Sequence, residues 1–238
     1  MDKVFRFSDY DILAYIASGI GVMLFWDLLF DTHWIVRAQW SVPEGVTLVV
    51  AFYVIGHVVA WPAAWLAERR FVARVLGPPS QALFEESPHK LGIKHWLFPD
   101  YFTPLNREIR ERVKQRAGVA ALQDASKQDL FWRAFAVVKR DPSTYSRMEA
   151  FLKLYGFCRN VAFVSLVGAC ALAVEAIRLL WLGSNSAALS RLYWSSGALV
   201  IGVAMLYRYL RFHRLYSVEV FVGYAELPLP KEGSSDAH

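Results

Sequence analysis

VAFVSLVGACALAVEAIRLLW, residues 161–181, decides the fold. Its ionisable groups are Glu175 and Arg178, and the rest is apolar or small. An apolar helix of roughly 20 residues, rising 1.5 Å per residue, crosses a hydrocarbon core of about 30 Å. Three further stretches share this character, near 11–30, 46–66 and 193–210. They predict an all-α, polytopic membrane protein with four transmembrane helices. Between the second and third spans lies a helical insert, 67–156.

Reading back from residue 161, Gly156 is the sole breaker before Asp141-Pro142. An acidic cap followed by proline at the first helical position starts helices well. One helix of roughly 40 residues is therefore expected from Pro142 through the third span, about 60 Å long. Such a rod can carry displacement from the insert to the bilayer.

The expected organisation has four parts. A transmembrane hairpin occupies 1–66, the basic helical domain 67–156, a second hairpin 157–212 and a tail 213–238. Within the insert, 68–76 reads as an extension of the second span, stopped by Gly77-Pro78-Pro79. Residues 80–103 read as loop and short turns. Thr103-Pro104 looks like the cap of a helix through NREIRERVKQRAG, and 127–140 forms another. SVEVFVGYAEL, 217–227, reads as a short strand or the end of the last helix, and the polar end of the tail as disordered.

Hydrophobic residues make up 55% of the chain, above the about 45–50% of soluble domains, and the net charge is +5. The insert carries 16 Lys plus Arg against 10 Asp plus Glu. The connection 31–45 has only Arg37, and 182–192 only Arg191, whereas the tails hold Lys3, Arg6, Arg211, Arg214 and Lys231. The positive-inside bias puts both termini and the insert in the cytoplasm, with a bacterial inner membrane the expected location. Trp26, Trp34, Trp40, Trp181, Tyr193 and Trp194 fit one aromatic belt, Trp61 and Trp65 the other. The first stretch reads as a retained helix, because its front is not clearly cationic and its apolar run exceeds a signal-peptide core.

Ionisable groups inside spans are expensive and attract functional hypotheses first. His57 sits near the middle of the second span, as a proton-sensitive or ligand-contacting group or as a neutral imidazole bonded to a neighbouring helix. Glu175 lies outward in the third span, where Arg178 can pair with it. Asp27 lies outward in the first span, at an interface or facing inward. Facing inward, Asp27 and Glu175 form an acidic vestibule above His57, an arrangement favouring cations. Tyr155, Arg159 and Asn160 mark the inner edge of the third span, where Arg159 either meets an anionic headgroup or ties the rod to the second span. Arg107, Arg110, Arg112, Lys114, Arg116, Arg133, Lys139 and Arg140 are candidate contacts for an anionic nucleotide or oligonucleotide, or else a solvated basic surface.

The chain has no phosphate-binding GxxxxGK[ST], no GxGxxG, no HExxH, no CxxC and no GxSxG. No catalytic residue, metal or cofactor is assigned. Cys158 and Cys170 share one helix and read as apolar-like thiols. The layout is similar to that of small membrane effectors of bacterial antiviral systems, a likeness of organisation that covers no motif. It implies a homo-oligomer in the bilayer that conducts ions or breaches the membrane when the insert senses a ligand. The alternatives are an assembly subunit binding a cytoplasmic protein partner, and an intramembrane lipid-modifying enzyme using His57.

Overall fold

The computed structural model describes residues 9–35, 40–84, 92–117 and 127–227. Lys3, Arg6, Arg37 and Lys231 of the charge reading, and the tail 228–238, lie outside them. Every regular element among the described residues is helical. In chain order these are α1 (Asp9–Phe30), α2 (Val42–Ala64), a π-helix (Trp65–Leu76), α3 (Pro79–Ala82), α4 (Ile93–Leu97), a 3₁₀ turn (Pro99–Phe102), α5 (Arg107–Ala117), α6 (Lys127–Val138), α7 (Pro142–Trp181) and α8 (Asn185–Glu226). Four helical runs are long and apolar enough to cross a membrane: α1, α2 with its continuation, α7 and α8.

The chain divides into two compact units. The first takes residues up to Gly77 together with Leu152–His213, and the second takes Pro78–Phe151 with the residues from Arg214. This division differs from an insert of 67–156. Residues 67–77 and 152–156 belong with the spans, and the last turns of α8 belong with the second unit. Of the two readings of 217–227, a short strand or the end of the last helix, the 42-residue α8 bears out the second. Val220, Phe221 and Tyr224 lie on one helical face and enter the core of the second unit. Their burial outweighs the strand preference of a Val- and Phe-rich run.

In the first unit, α1 and α2 cross at backbone distance. A Cβ on Gly19 would strike the main chain of Phe52, and one on Gly56 the carbonyl of Tyr15. The two contacts run in opposite chain directions, as an antiparallel hairpin requires. Small residues allow such approach where lipid supplies no hydrophobic drive between helices. Gly168 of α7 receives the ring of Phe25 in the same way, and Ser195 of α8 donates to the Ala169 carbonyl at 2.8 Å.

Helix ends follow local chemistry. Ser41 and Glu44 form a reciprocal capping box at the start of α2, Ser41 N–H donating to Glu44 Oε2 at 2.9 Å and Glu44 N–H to Ser41 Oγ at 3.4 Å. Pro62 has no N–H to return to the preceding turn. Beyond it the helix widens to five-residue hydrogen bonding, ending in Gly77 N–H to Val72 O at 2.8 Å. Gly77 then takes φ +85°, which halts the helix before Pro78. The start expected at Thr103 is displaced. Asn106 caps α5 instead, its side chain accepting from Glu108 N–H at 3.0 Å, while Thr103 donates back to the Pro99 carbonyl. Asp141 caps α7, whose 40 residues run unbroken from Pro142, accepting from Thr144 N–H at 2.8 Å and Ser143 Oγ at 2.7 Å.

The second unit packs Leu83, Val113, Ala134, Val138, Met148 and Phe221 into one core. Phe84 meets Phe221 edge-on at 4.9 Å. Leu105 N–H donates to Leu83 O at 3.0 Å, and Arg147 Nε reaches Glu219 Oε1 at 2.5 Å.

The α1–α2 crossing predicts opposite effects at two glycines of one helix. Gly56→Ala forces the helices apart and lowers the thermal midpoint in detergent. Gly45→Ala adds a Cβ into open space and raises helix propensity by about 1 kcal/mol, leaving the midpoint unchanged or higher. Equal losses at both positions would contradict the crossing.

The α7 cap predicts a pH dependence. Hydrogen bonds from Thr144 and Ser143 hold the Asp141 carboxyl down at about 2. Its native value lies below the ordinary carboxylate value. Its contribution is therefore full above about pH 4 and is lost as pH falls toward 2. Asparagine caps as well as aspartate without titrating. Asp141→Asn should flatten the acid limb of an unfolding-midpoint profile between pH 5 and 2. An unchanged limb would contradict this account.

Candidate functional site

The polar cluster at residues 68 and 155–160 belongs wholly to the first unit. It lies at the end opposite the two short connections. Tyr155 and Arg159 are one turn apart on α7 and share a face. Arg159 Nη1 donates to Glu68 Oε1 at 2.6 Å and to Tyr155 Oη at 3.3 Å. Its Nε and Nη2 both reach Asn160 Oδ1 at 3.2 Å, and its Cζ lies 5.4 Å from the Tyr155 ring centre. Tyr155 donates its own hydroxyl to Glu68 Oε1. Asn160 is 2% exposed, and the Arg159 side chain 13%. A guanidinium so enclosed needs acceptors on several sides, and these three residues supply them. Tyr209 and His213 of α8 stack beside Tyr155, at 5.4 Å each between ring centres.

Glu68 was not among the residues expected here. It is the one acid in WLAERRFVARVL, among Arg69, Arg70 and Arg74, and that isolation was the available signal. Its partner is 91 positions away, so helix facing, not sequence neighbourhood, makes the pair.

Beside this cluster runs a cleft of about 460 Å³. Its wall is apolar, with Ala63, Leu66, Phe163 and Leu206, and its charged members are Arg70 and Arg159.

The three intramembrane candidates do not gather. Asp27 is buried and occupied. Its Oδ1 accepts from Thr32 Oγ1 at 2.5 Å and Trp34 N–H at 3.0 Å, and its Oδ2 from Ile35 N–H at 2.6 Å. It ties back the chain that leaves α1, where Asp31 and His33 take φ of +51°. Glu175 accepts two bonds from Arg178, at 2.7 and 2.8 Å. Arg191, noted in the sequence only as a lone connection cation, donates to both Asp31 oxygens at 2.7 Å. His57 is exposed, with Tyr15 at 4.9 Å and Tyr53 at 6.2 Å between ring centres. The Gly56–Tyr15 contact sets His57 level with Tyr15, twelve residues and about 18 Å along α1 from Asp27.

The eight basic candidates separate into groups. Arg112 pairs with Glu108 at 2.6 Å and Lys114 with Glu111 at 3.1 Å. Arg116 donates to the Leu227 carbonyl and lies over the Tyr224 ring. Arg110 is part-buried on α5, with Nε and Nη1 shielded from solvent. Arg107, Arg133, Lys139 and Arg140 are exposed, spread over α5, α6 and the turn after α6. No group of three His, Cys, Asp or Glu among the described residues is placed to hold a metal.

No protein family, curated protein or solved structure matches this chain.

The Glu68–Arg159 pair predicts an asymmetric mutant cycle. Glu68→Ala strands an enclosed guanidinium, whereas Arg159→Ala leaves a carboxylate that is 40% exposed and can hydrate. Glu68→Ala should therefore cost more, and the double variant less than the sum. Glu68 is too exposed for the full cost of a buried pair. A coupling of about 1 kcal/mol is expected from unfolding in detergent. Additive losses would refute the coupling.

Proposed function

We propose that this protein is an oligomeric membrane effector. Its spans conduct ions or breach the bilayer when the basic unit meets an anionic ligand. The observation that carries this reading is His57. Asp27, Glu68 and Glu175 each have hydrogen-bonding partners within the chain, whereas His57 sits in mid-span on an exposed face with two tyrosines. An imidazole left against lipid is costly, and a second copy or a water-filled path between copies removes that cost. Association then puts His57 where a conduction path would form.

The charge pattern supports a cytoplasmic location for both termini and for the basic unit; a bacterial inner membrane is part of the same proposal. In that unit Arg107, Arg133, Lys139 and Arg140 are the ligand contacts this reading favours, since Arg112, Lys114 and Arg116 already have internal partners. Helices α7 and α8 each contribute residues to both units, a continuity that suits signal transfer.

A second reading, an assembly subunit for a cytoplasmic protein, draws support from exposed apolar groups of the second unit, Ile93, Trp96 and Trp132. The lipid-modifying enzyme gains less support, because the neighbours of His57, Tyr15 and Tyr53, supply no carboxylate to orient the imidazole.

The test combines cross-linking with conductance. His57→Cys, with Cys158 and Cys170 replaced by alanine, should join copies through a short bismaleimide in native membranes. Wild-type protein in planar bilayers should conduct on addition of ATP or a short RNA as anionic probes, and His57→Phe should reduce that current at least tenfold. A monomer that neither cross-links nor conducts with either probe would overturn the reading.

A further inference from the structure

The geometry points to the cleft beside Arg159 as a binding site for one anionic phospholipid. The phosphate sits at Arg70, beside the internally paired Arg159, and one acyl chain lies along Ala63, Leu66, Phe163 and Leu206. Three observations on this single unit support it, and none depends on oligomerisation or conduction.

The first is shape and lining. The cleft holds about 460 Å³, within the roughly 300–1,000 Å³ of ligand sites. On α7 it extends from Arg159 to Val167, eight residues or about 12 Å of helix axis. The slot is apolar along α7 from Ala162 to Val167, with Arg159 at the start of that stretch and Arg70 on the facing π-helix, as a lipid tail below its headgroup requires.

The second is charge. Glu68, the acid of the π-helix, is committed to Arg159 and Tyr155. Arg69, Arg70 and Arg74 are exposed, and none pairs with an acid among the described residues. The Arg70 guanidinium carbon lies over the Trp65 ring, 4.8 Å from its centre, at the edge of the apolar span. A planar fork held in this way is suited to phosphate oxygens.

The third is the backbone. The cleft's Arg70, Phe71 and Val75 stand on the π-helix. Rare windings of this kind recur at functional sites, because they re-aim side chains that a regular helix would direct elsewhere.

Anionic lipid is favoured over a free anion by the apolar slot, which a small ion leaves empty. It is favoured over a neutral lipid by Arg70, which lines the cleft and pairs with no acid among the described residues. Native mass spectrometry of the full chain, released from nanodiscs of equimolar phosphatidylglycerol and phosphatidylcholine, tests this. Wild type should retain phosphatidylglycerol at least fivefold over phosphatidylcholine. Arg70→Gln should bring the ratio close to one. Ala67→Phe, which fills the cleft while keeping every charge, should lower total lipid retention at least threefold. Both variants should keep the wild-type circular dichroism and elution volume. Inorganic phosphate at millimolar concentration should leave the lipid in place. Equal retention of the two lipids by wild type, unchanged binding in both variants, or full displacement by phosphate would overturn the assignment.

Discussion

A charge beside hydrocarbon must find its counter-group within the protein, and the membrane unit is arranged around that requirement. Away from bulk water an unsatisfied carboxylate or guanidinium costs several kcal/mol, a cost that bears on the enclosed Arg159 more than on the half-exposed Glu68. Arg159 meets the requirement with Glu68, Tyr155 and Asn160 at once. Asp27 meets it with two backbone N–H groups and a hydroxyl, and Arg191 with both oxygens of Asp31. Two of these pairs join segments distant in sequence, so they also hold helices in register. Glu68 to Arg159 links the continuation of α2 to α7, and Asp31 to Arg191 links the end of α1 to the start of α8.

Packing answers a second constraint. Lipid tails are as apolar as leucine, so burying leucine between helices gains little. Contact must come from close approach. The Gly19 and Gly56 crossing lets two backbones touch where any side chain would separate them. The second unit is packed differently: its Phe84, Phe131 and Phe221 form one contiguous aromatic core. Helices α7 and α8 each contribute residues to both units.

The spans and the 40-residue α7 were legible because their signals are local. Apolar length marks a span, Asp141-Pro142 marks a start, and the lack of a breaker marks continuity. The far end of α8 was only half legible: strand and helix end both fit locally, because Val218, Val220 and Val222 favour a strand, and the core positions of Phe221 and Tyr224 decide for helix. The cap of α5 was misplaced by three residues, since Thr103-Pro104 and Asn106 both offer cap chemistry and tertiary contacts chose between them. At the polar cluster, Tyr155, Arg159 and Asn160 stood out as expensive residues at a span's edge. Glu68 did not, because its importance comes from a partner on another helix. Depth in a membrane can be read from sequence position, whereas facing depends on how helices rotate against one another.

Facing is what separates His57 from the other intramembrane groups. Asp27, Glu68 and Glu175 each find a hydrogen bond or an ion pair within the chain, whereas His57 is exposed with two tyrosine rings beside it. The helix that carries it is also the most open of the four. Val46, Val50, Val54, Val58 and Trp61 are all exposed along α2, beside His57. A stripe of β-branched side chains with few rotamers to lose is a low-entropy surface for another helix to meet. On the oligomeric reading, this face of α2 is where copies associate, and the imidazole supplies a polar contact that lipid cannot. The Arg70 cleft lies along the continuation of the same helix. A lipid seated there would border the association face, and lipid composition would then act on assembly through α2 itself.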